Sequence, residues 1–188
     1  PCTELSGLGE PTMHPDWAKM SADVQEKGNI LYFPTNGTLL GPETYGHLED
    51  SDRTRVEISL DASCEARYRK IRFGGNWDEV IGNARRLRAD KPKARLLSTF
   101  TAGAYNIDDL PAFMETAASL GINEVDVRAV RAWALSPEKA SLRYRKTQTE
   151  DAIGKAVAEA NRLGVPIKVE PIIFAQGLEN AGEDPTFV

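Results

Sequence analysis

Cysteine and histidine are scarce in this sequence, with two residues of each among 188. Cys2 and Cys64 are too few for a disulfide scaffold, which leaves a reducing cytoplasm as the expected setting. They are also too few for the three or four ligands of a complete cysteine-bound metal centre. His14 and His47 stand alone, without the spacing of a metal-ligand pair, and read as structural or surface residues. No stretch approaches the roughly 20 apolar residues of a membrane span, and no secretory signal opens the chain, so no membrane partner is expected. An excess of basic charge is lacking too. The 23 Lys and Arg face 28 Asp and Glu, for a formal net charge of -5. Such a balance argues against nucleic acid or anionic lipid captured by charge, and no nucleic-acid partner is expected.

What is present belongs to an ordinary globular chain. A hydrophobic fraction of 41% beside 27% charged residues is enough for one domain with a real core. Short extended runs fall near 2–6, 29–33, 55–60, 94–100, 124–128 and 166–172, with β-branched or aromatic residues in the middle, as in buried strands. Between them lie amphipathic stripes. Trp77, Val80, Ile81, Ala84 and Leu87 make one; Leu110, Phe113, Met114, Ala117 and Leu120 another; Ile153, Ala156, Val157, Ala160 and Leu163 a third. Helices are also expected over 16–26, stopped by Gly28, and over 42–48. Asn76 with Glu79, Asn106 with Asp109, and Thr147 with Glu150 read as helix-start signals, and Gly121 and Gly164 as stops.

The succession is β-α-β-α, compatible with right-handed crossovers between parallel strands. Six such strands form either an open doubly wound sheet or part of an eight-stranded barrel. A complete barrel takes about 250 residues, so about three quarters of one fits. In both arrangements the working groups gather in the loops after the strands. Those loops are Ser6-Gly7-Leu8-Gly9-Glu10-Pro11, Thr35-Asn36-Gly37, Ser59-Leu60-Asp61, Ser98-Thr99-Phe100-Thr101 and Asp126-Val127-Arg128. Gly9 lets a ligand reach the backbone, and Glu10 adds a carboxylate suited to an ammonium group. Asn36-Gly37 offers a left-handed turn. Ser59 and Asp61, two apart on a strand, share a side and could bind vicinal hydroxyls. Arg72 sits in the basic run 67–72, the pattern of a solvated helix face. The glycine loop lacks both the Walker lysine and a dinucleotide fingerprint.

Taken in order, these loops resemble the core domain of the radical S-adenosylmethionine (radical SAM) enzymes. The run Leu5-Ser6-Gly7-Leu8-Gly9-Glu10-Pro11-Thr12-Met13-His14-Pro15 is similar to the family's Gly-Gly-Glu-Pro loop after its second strand. Thr35-Asn36-Gly37-Thr38-Leu39-Leu40 resembles the loop after the third. Glu57-Ile58-Ser59-Leu60-Asp61-Ala62, followed by Tyr68-Arg69-Lys70-Ile71-Arg72 and Gly74-Gly75-Asn76-Trp77, resembles the fourth strand and its sequel. That last block is like members with a SPASM or twitch extension, many of which modify peptides or proteins.

The resemblance implies an incomplete parallel (β/α)6 partial TIM barrel over residues 1–175, with a tail at 176–188 leading toward an extension. It implies S-adenosylmethionine and a [4Fe-4S] cluster as cofactors, an electron donor such as a flavodoxin or ferredoxin, and a 5′-deoxyadenosyl radical as the reactive species. Carried over by motif, Gly9, Glu10 and Asn36 border the amino-acid end of the cofactor, Glu10 receiving its ammonium. Ser59 with Asp61 contacts the ribose, Arg72 pairs with the carboxylate, and backbone near Val130 borders the adenine. Leu8 replaces the family's commoner glycine.

The family's Cys-x3-Cys-x2-Cys cluster loop has no counterpart here, because Cys2 falls inside the expected second strand. The expectation is therefore a fragment of a radical SAM enzyme, with its first βα unit missing and no metal or catalytic residue of its own. The alternative is a cluster-less relative that binds a nucleotide-like ligand or a protein. A lyase or aldolase on a barrel is the weakest option, since no strand ends in a Schiff-base lysine and Lys168 reads as an outward-facing charge. The segment 131–146 offers no decisive clue to a substrate.

Overall fold

The computed structural model describes residues 1–130, 141–172 and 174. Six parallel strands form one sheet: β1 (Cys2–Glu4), β2 (Ile30–Thr35), β3 (Thr54–Ser59), β4 (Arg95–Ala102), β5 (Glu124–Ala129) and β6 (Ile167–Val169). Between them run α1 (Trp17–Glu26), α2 (Pro42–Tyr45), α3 (Glu65–Ile71), α4 (Trp77–Asp90), α5 (Leu110–Ser119) and α6 (Lys146–Leu163). The expected tail at 176–188 and most of the segment 131–146 lie outside the described residues.

Strand order decides between the two arrangements left open by the sequence. The strands lie in chain order, β1-β2-β3-β4-β5-β6. A doubly wound sheet needs a reversal of order so that helices cover both faces. Without one, right-handed crossovers put every helix on the same side. The result is a singly wound, open sheet of the partial-barrel kind.

The register shows what this one-sided covering does to the strands. Leu31, Phe33, Val56, Ile58, Leu96, Phe100, Val125 and Val127 are all buried and alternate with polar residues. They pack on Trp17 and Val24 of α1, Val80, Ala84 and Leu87 of α4, and Phe113, Met114 and Ala117 of α5. Trp17 meets Phe33 edge-on with ring centroids 4.6 Å apart, and Phe100 meets Phe113 at 5.0 Å. The opposite face carries Tyr32, Glu57, Ser59, Thr99, Asp126 and Arg128. The strands were expected to be buried throughout. Their central portions instead bury one face in apolar contact and present polar groups on the other, unlike the near-continuous apolar runs of most all-parallel sheets.

Several boundary signals behave as expected, and two do not. Asn76 caps α4, accepting from the Glu79 N–H at 3.3 Å. Gly28, Gly121 and Gly164 end α1, α5 and α6 with φ of +72°, +66° and +68°. Asn106, expected as a cap, turns into the interior. Its Nδ2 donates to the carbonyls of Asp61 (3.0 Å) and Thr101 (3.1 Å), while its Oδ1 accepts from the Gly103 N–H at 2.7 Å. Buried carbonyls left over at the ends of β3 and β4 outcompete the exposed N–H groups of a helix start, which water can satisfy. The Thr147–Glu150 capping box is absent because α6 already begins at Lys146, with Arg145 at its cap position.

Gly37 is where a glycine is required. Its φ is +79°, and a Cβ there would lie 2.9 Å from Val80 Cγ1 on α4. Asn83 clamps the same turn, donating to the carbonyls of Gly37 (2.9 Å) and Thr38 (3.0 Å). Gly37→Ala is expected to lower the unfolding free energy by about 2–5 kcal/mol, from left-handed backbone strain of ~1–2 and overpacking of ~1–3. Urea denaturation checks this, with Gly28→Ala as a control of similar φ and open surroundings.

Candidate functional site at the carboxyl rim

Glu10 is held by the strand beside it. Its Oε1 accepts from Thr35 Oγ1 at 2.8 Å and Thr12 Oγ1 at 2.7 Å, and its Oε2 accepts from the Asn36 N–H at 2.8 Å. Thr35 is the last residue of β2, so these bonds fasten the loop after β1 to the carboxyl end of β2. A Cβ on Gly7 or Gly9 would meet nothing within 4 Å. The backbone of this loop is open to a ligand, and the side chain of Leu8 points into solvent. Asn36 closes its own turn, with Oδ1 accepting from Thr38 N–H at 2.9 Å.

Asp61 and Arg72 come together directly. The Asp61 carboxylate is buried, and its Oδ2 accepts from Arg72 Nε at 2.8 Å. Its Oδ1 accepts from the Thr101 N–H at 2.6 Å. Asp61 also has a φ of +60°, the one non-glycine residue in that region among the described residues. An aspartate tolerates this conformation better than most side chains, and the three hydrogen-bonding groups around it hold it there. The pair was expected to divide its work between a ribose and a carboxylate. In the structure the two side chains bind each other, joining the end of α3 to β3 and β4. Arg72 is correspondingly not part of a solvated face, although the rest of its basic run lies on α3.

Ser59 and Val130 meet across a cleft of about 810 Å3 on the helix-free face. Val130 extends the β4–β5 ladder by donating its N–H to the Ala102 carbonyl at 2.8 Å. Glu57, Thr99, Asp126 and Arg128 also line this cleft. Arg128 Nη2 lies 2.7 Å from Asp126 Oδ2 and 3.4 Å from Glu57 Oε2. Burial opposes the charge of Arg128, but Asp126, Glu57 and Tyr32 outweigh it and hold its pKa above the usual guanidinium value. Burial, and then the Glu57 carboxylate, push the Tyr32 phenol above its ordinary range, with Arg128 opposing. Lys168, expected as an outward-facing charge, is exposed and pairs with Glu124 at 2.7 Å.

Two groups of the expected residues therefore sit on neighbouring strand ends, Glu10 with Asn36 and Ser59 with Val130, and Asp61–Arg72 braces the loop between β3 and α3. Thr99, Asp126 and Arg128, named in the strand-end segments of the sequence, form a polar row with Glu57, which the loop-by-loop reading did not reach. Carrying the Ser59–Asp61 alternation one step back along β3 would have reached Glu57.

A metal fits less well. Cys2 and Cys64 are both exposed, one in β1 and one just before α3, and among the described residues no three Cys, His, Asp or Glu side chains are grouped to hold an ion. The residues of this chain do not fit a [4Fe-4S] cluster. No helix among the described residues is long and apolar enough to cross a membrane.

The singly wound parallel sheet, with polar groups at its strand ends and an open cleft on the face that no described helix covers, defines a partial-barrel α/β domain. The profile of the Radical SAM superfamily matches residues 5–117, and the chain belongs to that family. The family uses S-adenosylmethionine and a [4Fe-4S] cluster. Fe-coproporphyrin III synthase of Methanosarcina barkeri is 30% identical over 107 residues, 57% of this chain and 26% of its own length. PqqA peptide cyclase of Ruegeria pomeroyi is 32% identical over 159 residues, 83% of this chain and 41% of its own. Streptococcus suis SuiB bound to S-adenosylmethionine shares the fold, with a TM-score of 0.65 at 15% identity over 87% of this chain and 38% of that one. The chain thus spans between a quarter and about two fifths of these relatives.

Removing Asp61 should cost more stability than removing its partner. Asp61→Ala is expected to lose about 3 kcal/mol, because it strands Arg72 and the Thr101 N–H together. Arg72→Met should lose about 2 kcal/mol, because it leaves the buried Asp61 carboxylate with the Thr101 N–H but no cation. Equal losses on urea denaturation would show that the ion pair, and not the bond to Thr101, carries the loop.

Proposed function

We propose that this chain is the S-adenosylmethionine-binding part of a radical SAM enzyme whose cluster ligands come from outside these 188 residues. The observation that carries the reading is the fixed Glu10 carboxylate beside an open glycine loop, one strand from Ser59 and a cleft large enough for a nucleoside. In this reading Glu10 receives the cofactor's ammonium with Gly9 and Asn36 around it. Ser59 meets the ribose, and the Val130 backbone borders the adenine. Asp61 and Arg72 act on the cofactor chiefly by shaping the rim, because they already satisfy each other.

A [4Fe-4S] cluster held by residues outside this chain would supply the one electron that cleaves bound S-adenosylmethionine to methionine and a 5′-deoxyadenosyl radical, while Glu10, Gly9, Asn36 and Ser59 would hold the cofactor in place. The likeness to a PqqA peptide cyclase over 83% of the chain supports a peptide or protein substrate and a SPASM-type or twitch-type relative. A flavodoxin or ferredoxin is the fitting class of electron donor. The scarcity of cysteine and the net charge of -5 agree with a cytoplasmic protein that does not engage nucleic acid.

Calorimetry with S-adenosylhomocysteine tests the binding part of this reading on the chain itself. Glu10→Ala is expected to weaken binding by about 1–3 kcal/mol, the loss of a charge-assisted hydrogen bond. Unchanged affinity removes Glu10 from the site. For the complete protein, the expected result is oxygen-sensitive iron and release of 5′-deoxyadenosine after reduction. An intact reduced cluster that gives none of that product overturns the enzyme assignment.

A further inference from the structure

The sheet face that no described helix covers bears, beside Ser59, a set of groups that the cofactor reading does not use. In a parallel barrel the inward layers are ordinarily filled by Val, Ile and Leu. Here the corresponding row runs Ser59, Thr99, Asp126 across β3, β4 and β5, with Glu57 one layer below and Arg128 one layer above. Burying such groups is unfavourable unless each finds a partner.

Two of them do not find an adequate one. Thr99 is only 6% exposed, and its Oγ1 is buried with no hydrogen-bond partner. Of the buried polar side-chain atoms left unpaired among the described residues, it is the one whose residue lines the cleft. A native orphan of this kind signals a missing partner, since buried hydroxyls are nearly always bonded. The Glu57 side chain is 6% exposed; the Tyr32 phenol hydrogen-bonds it, and its ion-pair contact among the described residues is the 3.4 Å approach of Arg128. Arg128 is spent mainly on Asp126, which takes both its Nε (2.8 Å) and its Nη2 (2.7 Å). Within the described cleft, the Glu57 and Asp126 carboxylates share the one guanidinium of Arg128. A buried carboxylate that shares its only nearby guanidinium with a second carboxylate has room for a further donor, and a cationic one balances the pair.

We propose that Glu57 and Thr99 form a substrate-recognition site for a protonated amine, such as a lysine side chain or the α-ammonium of an amino acid or peptide. The amine donates to the Glu57 carboxylate and to Thr99 Oγ1, and Asp126 with Arg128 sets the orientation of Glu57 from above. The assignment rests on the cofactor reading only in naming the ligand a substrate. The groups themselves are independent of Glu10 and Asn36, which lie at the end of β2.

Methyl-resolved NMR of the 188-residue chain tests it, with n-butylammonium as the probe and n-butyrate as its matched anion. Butylammonium should give saturable shifts at the Thr99 and Val130 methyl groups, and butyrate none. Glu57→Gln and the near-isosteric Thr99→Val should each weaken that binding about fivefold or more. Thr99→Val should leave S-adenosylhomocysteine affinity within about twofold of the parent, because its hydroxyl is assigned to the other ligand. It should also melt at the same or a higher temperature, since the change removes an orphaned buried hydroxyl. Equal binding of butyrate, or unchanged butylammonium affinity in both variants, overturns the proposal. So does a lowered melting temperature of Thr99→Val, which would reveal a structural partner for the hydroxyl. A loss of S-adenosylhomocysteine binding in Thr99→Val would return the residue to the cofactor site and overturn it as well. Butylammonium binding without any binding of S-adenosylhomocysteine upholds the amine site while refuting the cofactor reading.

Discussion

Right-handed crossovers between neighbouring parallel strands force all the covering helices to one side, and the rest of the molecule follows from that asymmetry. The covered face must be apolar, so Leu31, Phe33, Val56, Ile58, Phe100 and Val127 alternate along β2 to β5 and meet the apolar stripes of α1, α4 and α5. The uncovered face is released from that demand. It collects Tyr32, Glu57, Ser59, Thr99, Asp126 and Arg128 in successive layers of the pleat. One face supplies the hydrophobic free energy of folding, and the other is left for recognition.

The rim at the carboxyl ends is built by polar side chains that tie one strand end to the next. Glu10 joins the first loop to β2 through Thr35 and Asn36. Asp61 joins β3 to β4 through the Thr101 N–H, and to α3 through Arg72. Asn106 bridges the Asp61 and Thr101 carbonyls from the loop after β4, and Asp109 receives the Ser63 N–H at 2.7 Å. These bonds join neighbouring loops and strand ends, and those to Asn36, Thr101, Ser63 and the Asp61 carbonyl satisfy backbone groups that the strand ends would otherwise leave unpaired. The ligand site thus rests on a ring of mutually braced turns.

Much of this was legible in the sequence because it is local. Short extended runs with β-branched or aromatic centres located the strands, the 3.6-residue stripes located α4, α5 and α6, and the glycine and loop motifs located the rim. What escaped was non-local. Asn106 has the composition of a helix cap, and only the folded structure shows two buried carbonyls within its reach. Arg72 carries the charge pattern of a solvated helix, and its turn toward Asp61 depends on α3 folding back over the end of β3. Glu57 lies inside a strand, where a single charge is easily taken for a solvent-facing residue. Its burial follows from the curvature and neighbours of the sheet. Strand order, which separates a singly wound from a doubly wound sheet, depends on which strands pair and is not carried by the periodicity of any one segment.

The left-handed backbone at Asp61 also divides the site into parts with different freedom to evolve. Glycine or asparagine would accept that conformation, but neither supplies two anionic oxygens for Thr101 and Arg72. Main chain and side chain there select the same residue, so drift at this position is closed off from both directions. Positions 57 and 99 carry ordinary strand backbone, and their side chains have no such double duty. Diversification toward new ligands has its open route along the pleat, while the corner that frames it stays constant.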